Sequence, residues 1–361
     1  MTELYPLRLP PSFRERIWGS HDLAPVFGKQ DRKIGEAWYS FDENTIANGP
    51  LEGRTLADLI AEYGPKLLGE SASKDGRPVP APPGENWGLS QAPSSEPQSQ
   101  GESQKARSGL SPFFPGPPSK PNFPILAKLL FTNDRLSVQV HPNDDYAREH
   151  EDSPGKTEMW YVLAAKPGAS VALGLTRVLS KDDLREAAIT GEIERYLNWV
   201  EVDAGEAFFI PAGTLHAIGP GLVLCEIQQN SDITYRFYDF GRLDTHGEPR
   251  ELHIEKAVAV TELQPHPGRI EPFRFPDQDW TRDLFVASPH FAAEHWAWDK
   301  PIKYPNKPNQ ADLLIFLQGE GSISGHPYTP GDAYLLPATL HNIELTPTSP
   351  TQAIRAYLPS Q

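Results

Sequence analysis

The stretch GEAFFIPAGTLHAI, Gly205 to Ile218, has a second copy in GDAYLLPATLHNI, Gly331 to Ile343. Each begins with Gly and an acid and runs through an apolar strand. Each then gives Pro, Ala, a Thr-Leu-His and an Ile, the second copy being one residue shorter. A strand–turn–strand unit that occurs twice predicts two related β-barrels, the second near the C-terminus. From Val200 onward short strands and turns dominate, which fits a mainly β fold with a few added helices.

Upstream of the first copy lies LSVQVHPNDDYAREHEDSPGKTEMWYVL, Leu136 to Leu163. Side chains alternate along a strand, so Gln139 and His141 share a face, as do Glu158 and Trp160. His216 arrives on the hairpin of the first copy. One Gln, two His and one Glu from three strands suit Zn²⁺ or another first-row divalent metal. His141 alone would read as an ordinary strand histidine; the combination points to a ligand set. The second copy keeps His341, but LLIFLQGEGSIS upstream of it offers no QxH and no matching Glu. His341 is therefore read as structural, and the second barrel as degenerate and without metal.

Composition limits the partners. The 361 residues carry a net charge of −15, which disfavours nucleic acid. A few local Lys and Arg can still hold a small phosphorylated ligand. No run is long and apolar enough to span a bilayer, and the N-terminus shows no apolar signal core. The single cysteine, Cys225, excludes an intrachain disulfide. These features favour a cytoplasmic protein. They leave the oligomeric state open.

Four domains are expected: an N-terminal segment 1–70 packing on the first barrel, a Pro/Ser-rich insertion 71–120, a metal-binding barrel 121–262 with a helical insert, and a C-terminal barrel 263–361. The insertion has too few aliphatics to offset its ordering entropy and reads as disordered; its PxxP spacings arise easily by chance. Thr55 to Gly64 reads as a helix capped by Thr55 and Asp58 and stopped by Pro65. Ser180 to Leu197 reads as a helical segment with Ser180 at its N-cap.

IWGS, GEAW, QVHP, GKTEMWYVL, PAGTLHAI, SDITYRFYDFGR and LHIEKA, in that order along the chain, resemble the short bacterial form of type I mannose-6-phosphate isomerase, a metal-dependent enzyme of the cupin superfamily. The likeness covers nearly the whole chain outside the insertion. It implies two cupin-type jelly-roll barrels and one zinc per chain held by Gln139, His141, Glu158 and His216. It also implies interconversion of mannose 6-phosphate and fructose 6-phosphate through a cis-enediol. Lys156 shares a strand face with Glu158; a metal and other cations nearby would lower its pKa and make it a base. Its plain alternative is an exposed loop-end lysine. Arg236 suits an enediolate or a phosphate, against a surface ion pair with Asp232 or Asp239. Glu226 resembles a pocket acid, against a buried partner of Arg236. A charge at Lys128, inside an apolar strand, is costly unless paired or facing a cleft; with Ser137 it resembles a phosphate contact. Trp18 reads as a pocket wall or a core residue. Two other readings compete with the isomerase: a non-haem iron oxygenase built on two His and one Glu, and a non-catalytic sugar-phosphate-binding cupin.

Overall fold

The computed structural model describes residues 2–69, 122–244, 246–276, 279–305, 307 and 309–359. The expected disordered insertion, 71–120, lies outside the described residues. The strands are β1 (Leu7–Leu9), β2 (Ser12–Asp22), β3 (Lys29–Trp38), β4 (Ile125–Phe131), β5 (Val138–Val140), β6 (Glu158–Ala165), β7 (Ser170–Leu175), β8 (Leu197–Glu201), β9 (Ala207–Ile210), β10 (His216–Ile218), β11 (Leu222–Gln229) and β12 (Tyr235–Tyr238). They form a six-stranded sheet ordered β2-β3-β4-β11-β6-β9 and a five-stranded sheet ordered β12-β5-β10-β7-β8. These two sheets make the first barrel.

The second barrel uses β13 (Phe273–Arg274), β14 (Thr281–Ala287), β15 (Ala292–Trp298), β16 (Ile302–Lys303), β17 (Asp312–Gln318), β18 (Gly321–Ile323), β19 (His326–Tyr328), β20 (Ala333–Leu336), β21 (Glu344–Pro347) and β22 (Thr351–Tyr357). Its sheets run β1-β20-β17-β22-β15-β14-β13 and β16-β21-β18-β19. The N-terminal segment therefore does more than pack on the first barrel. Its β2 and β3 extend the first barrel's sheet, while β1 pairs with β20 of the second, Leu7 opposite Leu335.

Among the described residues five α-helices punctuate the barrels: α1 (Leu56–Tyr63), α2 (Pro65–Leu68), α3 (Asp144–Glu151), α4 (Lys181–Thr190) and α5 (Ile254–Val260). Thr55 caps α1 by accepting from Asp58 N, and Ser180 with Asp183 forms a capping box on α4. The helix expected to run on to Leu197 stops at Thr190. Gly191 takes a left-handed φ of 79° that terminates it, a 3-10 turn follows, and Leu197 starts β8. Helix α3 was not foreseen: its residues are almost all polar, and only Ala147 is buried.

The large sheets of the two barrels meet through their outer faces. Along β4, Ile125, Ala127, Leu129 and Phe131 enter a common core with Leu313 and Ile315 of β17 and Ala293 of β15. The intervening Lys128 and Leu130 face into the first barrel, as do Glu158, Trp160 and Val162 of β6 and Leu224 and Glu226 of β11. Every residue of β4 and β11 is buried, the charged Lys128 and Glu226 included.

Register relates the two interiors. Ile210 and Leu336 hold the same place in the two repeat copies; Ile210 pairs with Glu158, and Leu336 with Asp312. Asp312 is thus the counterpart of Glu158, an acid that the sequence comparison of the copies missed because it stands one residue before the quoted run. By the same ladders Arg355 corresponds to Glu226, and Glu294 to Lys128. The charges are exchanged. Arg355, 1% exposed, lies 2.9 Å from Asp312 and 3.4 Å from Glu294. Tyr304 donates to Asp312, and Tyr357 and Trp296 donate to Glu294. Burial opposes ionisation of Glu294, but Arg282 and then Arg355 outweigh it and bring its pKa to about 2. His341, read as structural, is exposed. Arg355→Leu would strand the buried Asp312 carboxylate, while Glu294 would keep Arg282. It is expected to lower unfolding stability by about 3–5 kcal/mol, read from the urea midpoint.

Candidate metal centre and active site

Gln139 lies on β5, His141 just beyond it, Glu158 at the head of β6 and His216 at the head of β10. β10 pairs with β5 with His216 opposite Gln139. One nitrogen of His141, one of His216 and a carboxylate oxygen of Glu158 all lie within 4.8 Å of one another. Glu158 Oε2 is 3.5 Å from His141 Nε2, and Oε1 is 3.4 Å from His216 Nε2. The Gln139 amide reaches His216 Nε2 at 3.3 Å, so a side-chain flip turns its oxygen to the same point. All three titratable groups are buried, at most 1% exposed.

The tautomers follow from the backbone. His141 Nδ1 faces the Ile233 carbonyl at 2.7 Å, and His216 Nδ1 the Thr214 carbonyl at 2.8 Å. A carbonyl only accepts, so each Nδ1 carries the proton and each Nε2 keeps its lone pair for the centre. Burial, followed by the Lys156 charge, drives the His141 pKa well down; burial brings His216 to about 3. Glu158 Oε1 is buried with no hydrogen-bond donor. Two neutral imidazoles, an amide and an under-satisfied carboxylate fit a tetrahedral divalent cation. A facial triad would leave the place beside His216 open, whereas Gln139 fills it.

Beside this set, and lined by Gln139 of it, lies a cavity of about 280 Å³ whose lining also includes Trp18, Lys128, Ser137, Lys156, Glu226 and Arg236. The structure brings together all the candidate residues. Lys156 is no exposed loop end: it is 4% exposed, with Nζ 2.8 Å from Glu158 and 3.1 Å from His141 Nε2. Burial lowers its pKa, but Glu158 and then Glu226 outweigh that and push it up to about 12. The lowered value expected for it presupposes a metal that neutralises Glu158. Glu226 accepts from Trp160 Nε1 at 3.1 Å and faces Lys128 at 3.7 Å; it does not pair with Arg236. Burial and then Glu158 raise its pKa.

Lys128 does not snorkel outward. It is 2% exposed, also 3.7 Å from Asp232, and 4.3 Å above the Trp38 ring. Trp18 proves to be both wall and core, since it lines the cavity and packs with Leu130 and Trp160. Arg236 stands opposite Gln139 in the β12–β5 ladder. It makes no ion pair with Asp239, whose carboxylate is held by Arg242 and Arg250. Its Nη1 donates to the Glu251 carbonyl, and its Nε is buried without a partner.

Sequence reading missed Arg16, Glu36 and Arg250 as lining residues. Arg16 is ion-paired to Glu36 at 2.5 Å. Asp232 also lines the cavity, so five cations (Arg16, Lys128, Lys156, Arg236, Arg250) face three carboxylates (Glu36, Glu226, Asp232). Two of these cations have partners just behind the lining, Lys156 in Glu158 and Arg250 in Asp239.

No protein-family model matches the chain. A mannose-6-phosphate isomerase of Streptococcus mutans is 32% identical over 345 residues, covering 93% of each chain. The mannose-6-phosphate isomerase ManA of Bacillus subtilis is 32% identical over 351 residues, covering 94% of this chain and 95% of that protein. A crystal structure of the mannose 6-phosphate isomerase from Bacillus subtilis superposes with a TM-score of 0.77 at 29% identity, covering 97% of this chain and 99% of that one. With relatives this similar along its length, the chain belongs to the mannose-6-phosphate isomerase family, as its ordered motifs led one to expect.

Proposed function

We infer that the protein is a metal-dependent aldose–ketose isomerase that interconverts mannose 6-phosphate and fructose 6-phosphate, with one zinc per chain held by Gln139, His141, Glu158 and His216. The observation that carries this reading is the convergence of two Nε2 lone pairs on a buried carboxylate, beside a cavity lined by five cations. A bound zinc supplies Lewis acidity and fixes the site's geometry. The chain supplies the rest. Lys156 stands against the ligand set and moves the proton between C1 and C2. With Glu158 engaged as a ligand, the largest of the negative charges that hold the proton on Lys156 would be committed elsewhere, leaving those of Glu226 and Asp232. Arg236, beside Gln139 and with a free Nε, offers fixed donors to the developing enediolate. Glu226 holds Lys128 and Trp160 in place and sets the polarity of that wall. Lys128 and Ser137 take the phosphate, and Trp18 closes the side of the cleft.

A coupled assay on mannose 6-phosphate is expected to show turnover that EDTA abolishes and zinc restores. Unchanged turnover in His141→Ala would overturn the ligand assignment. Arg236→Lys, which keeps the charge but loses the fork, is expected to lose on the order of 10²–10³ in kcat.

The buried imidazoles also set an acid limit for the chelated protein. His216 has a folded pKa of about 3 against an ordinary 6.5, so between those values the unfolded chain binds the extra proton. Stability held above pH 6.5 is then lost as pH falls toward 3. His141 acts in the same direction. Urea midpoints of EDTA-treated protein should fall across this window, with a shallower slope in His216→Asn.

A further inference from the structure

Lys156 sits on the segment between α3 and β6, and that segment is held by more than its own turn. Gly155 N donates to Asp144 Oδ1 at 2.8 Å. Gln229 Nε2 donates to the same oxygen at 2.9 Å, and Gln229 Oε1 accepts from Thr157 N at 2.8 Å. The Gln229 backbone N in turn donates to the Thr157 carbonyl. Lys156 N donates to the Pro142 carbonyl, next to the ligand His141. Thr157 Oγ1 accepts from Ala212 N, in the turn that leads to His216. A Cβ on Gly155 would come within 2.5 Å of the Asn143 and Asp144 backbone, so the close approach needs glycine.

Helix capping does not account for Asp144. Asn143 is the N-cap of α3 and accepts from Tyr146 N, which leaves the Asp144 carboxylate to serve the loop. Its second oxygen faces His290 of the second barrel, 3.8 Å away. Gln229 is 7% exposed and Thr157 4%. Their polar atoms have no water to fall back on, so the pairings are obligatory. The two amide hydrogen bonds flank Lys156 on either side, at Gly155 and Thr157.

We propose that Asp144 and Gln229 are positioning residues for this reaction: the Asp144–Gln229 pair clamps Gly155 and Thr157 and so fixes where Lys156 Nζ meets the substrate. The assignment rests on the isomerase reading for what Lys156 does, and on geometry alone for the clamp.

The test uses the zinc-loaded full chain. Gln229→Glu keeps the acceptor for Thr157 but sets a carboxylate against Asp144. It is expected to lower kcat on the order of ten- to a hundredfold, with KM for mannose 6-phosphate and zinc content close to wild type and a melting temperature that falls but stays above the assay temperature. Amide hydrogen exchange at Gly155 and Thr157 should rise in the same variant. Asp144→Ala should behave alike, whereas Asp144→Asn keeps the Oδ1 acceptor and should keep most of kcat. Unchanged kcat and exchange in Gln229→Glu would overturn the clamp. So would a loss that appears only together with zinc loss and melting, or Asp144→Asn falling as far as Asp144→Ala. If wild-type protein fails to turn over mannose 6-phosphate, the functional reading falls, while the exchange data still judge the clamp.

Discussion

The central strands β4, β11 and β6 are buried on both faces, and the site depends on that constraint. One face of each enters the core shared by the barrels. With a period of two, the other face must look into the first barrel. A one-residue slip would put Glu158, Lys128 and Glu226 into the inter-barrel core and Cys225 and Ile227 into the pocket. Each core side chain contributes about 1.5–3 kcal/mol by burial, so register is held firmly. The polar interior face is therefore positioned by apolar residues that never touch substrate.

The two barrels solve the problem of buried charge differently. In the first, Glu158 meets Lys156 on one oxygen and has the other free of donors. In the second, the equivalent Asp312 accepts from Gln310 and Tyr304 and faces the Arg355 guanidinium. A buried ion pair whose carboxylates have their donors is locked, because either partner alone would be stranded at a cost of several kcal/mol; here, of the paired groups, only Arg355 Nε is left over. The incomplete set in the first barrel is the one with capacity for a further cation. The two site types differ by exchanged charge at Lys128/Glu294 and Glu226/Arg355, on ladders that share their register, and by the lack, among the described residues of the second barrel, of a counterpart to the Gln139, His141 and His216 set.

Much of this was legible in the sequence where chemistry coincides with short spacing. Gln139 and His141 are two apart, the repeat copies announce two barrels, and the Thr55 and Ser180 caps are local signals. Less was legible where folding joins distant segments. Asp312 stands just outside the quoted repeat and became visible as Glu158's counterpart only through strand pairing. Arg16 and Arg250 line the cavity from strands and loops with no motif spacing. Helix α3 is nearly all polar and shows no apolar stripe, and its Asp144 reads as one more acidic residue in NDDYAREHE. β1 crosses to the second barrel because its apolar Leu7 and Leu9 find buried partners there, which no local pattern encodes.

Net charge would predict repulsion of a sugar phosphate from a chain at −15. Distance decides otherwise. At physiological ionic strength surface charges are screened beyond about 8 Å, so most carboxylates of a 361-residue chain contribute little inside the cleft. The lining cations act within a few ångströms and in a medium of lower dielectric, where the same charge is several times more effective. Lys128 is held by Glu226 and Asp232 at 3.7 Å, longer than a hydrogen bond, and so retains donors for an incoming anion. The lining cations, not the net charge of the chain, are what an incoming anion meets in the cavity.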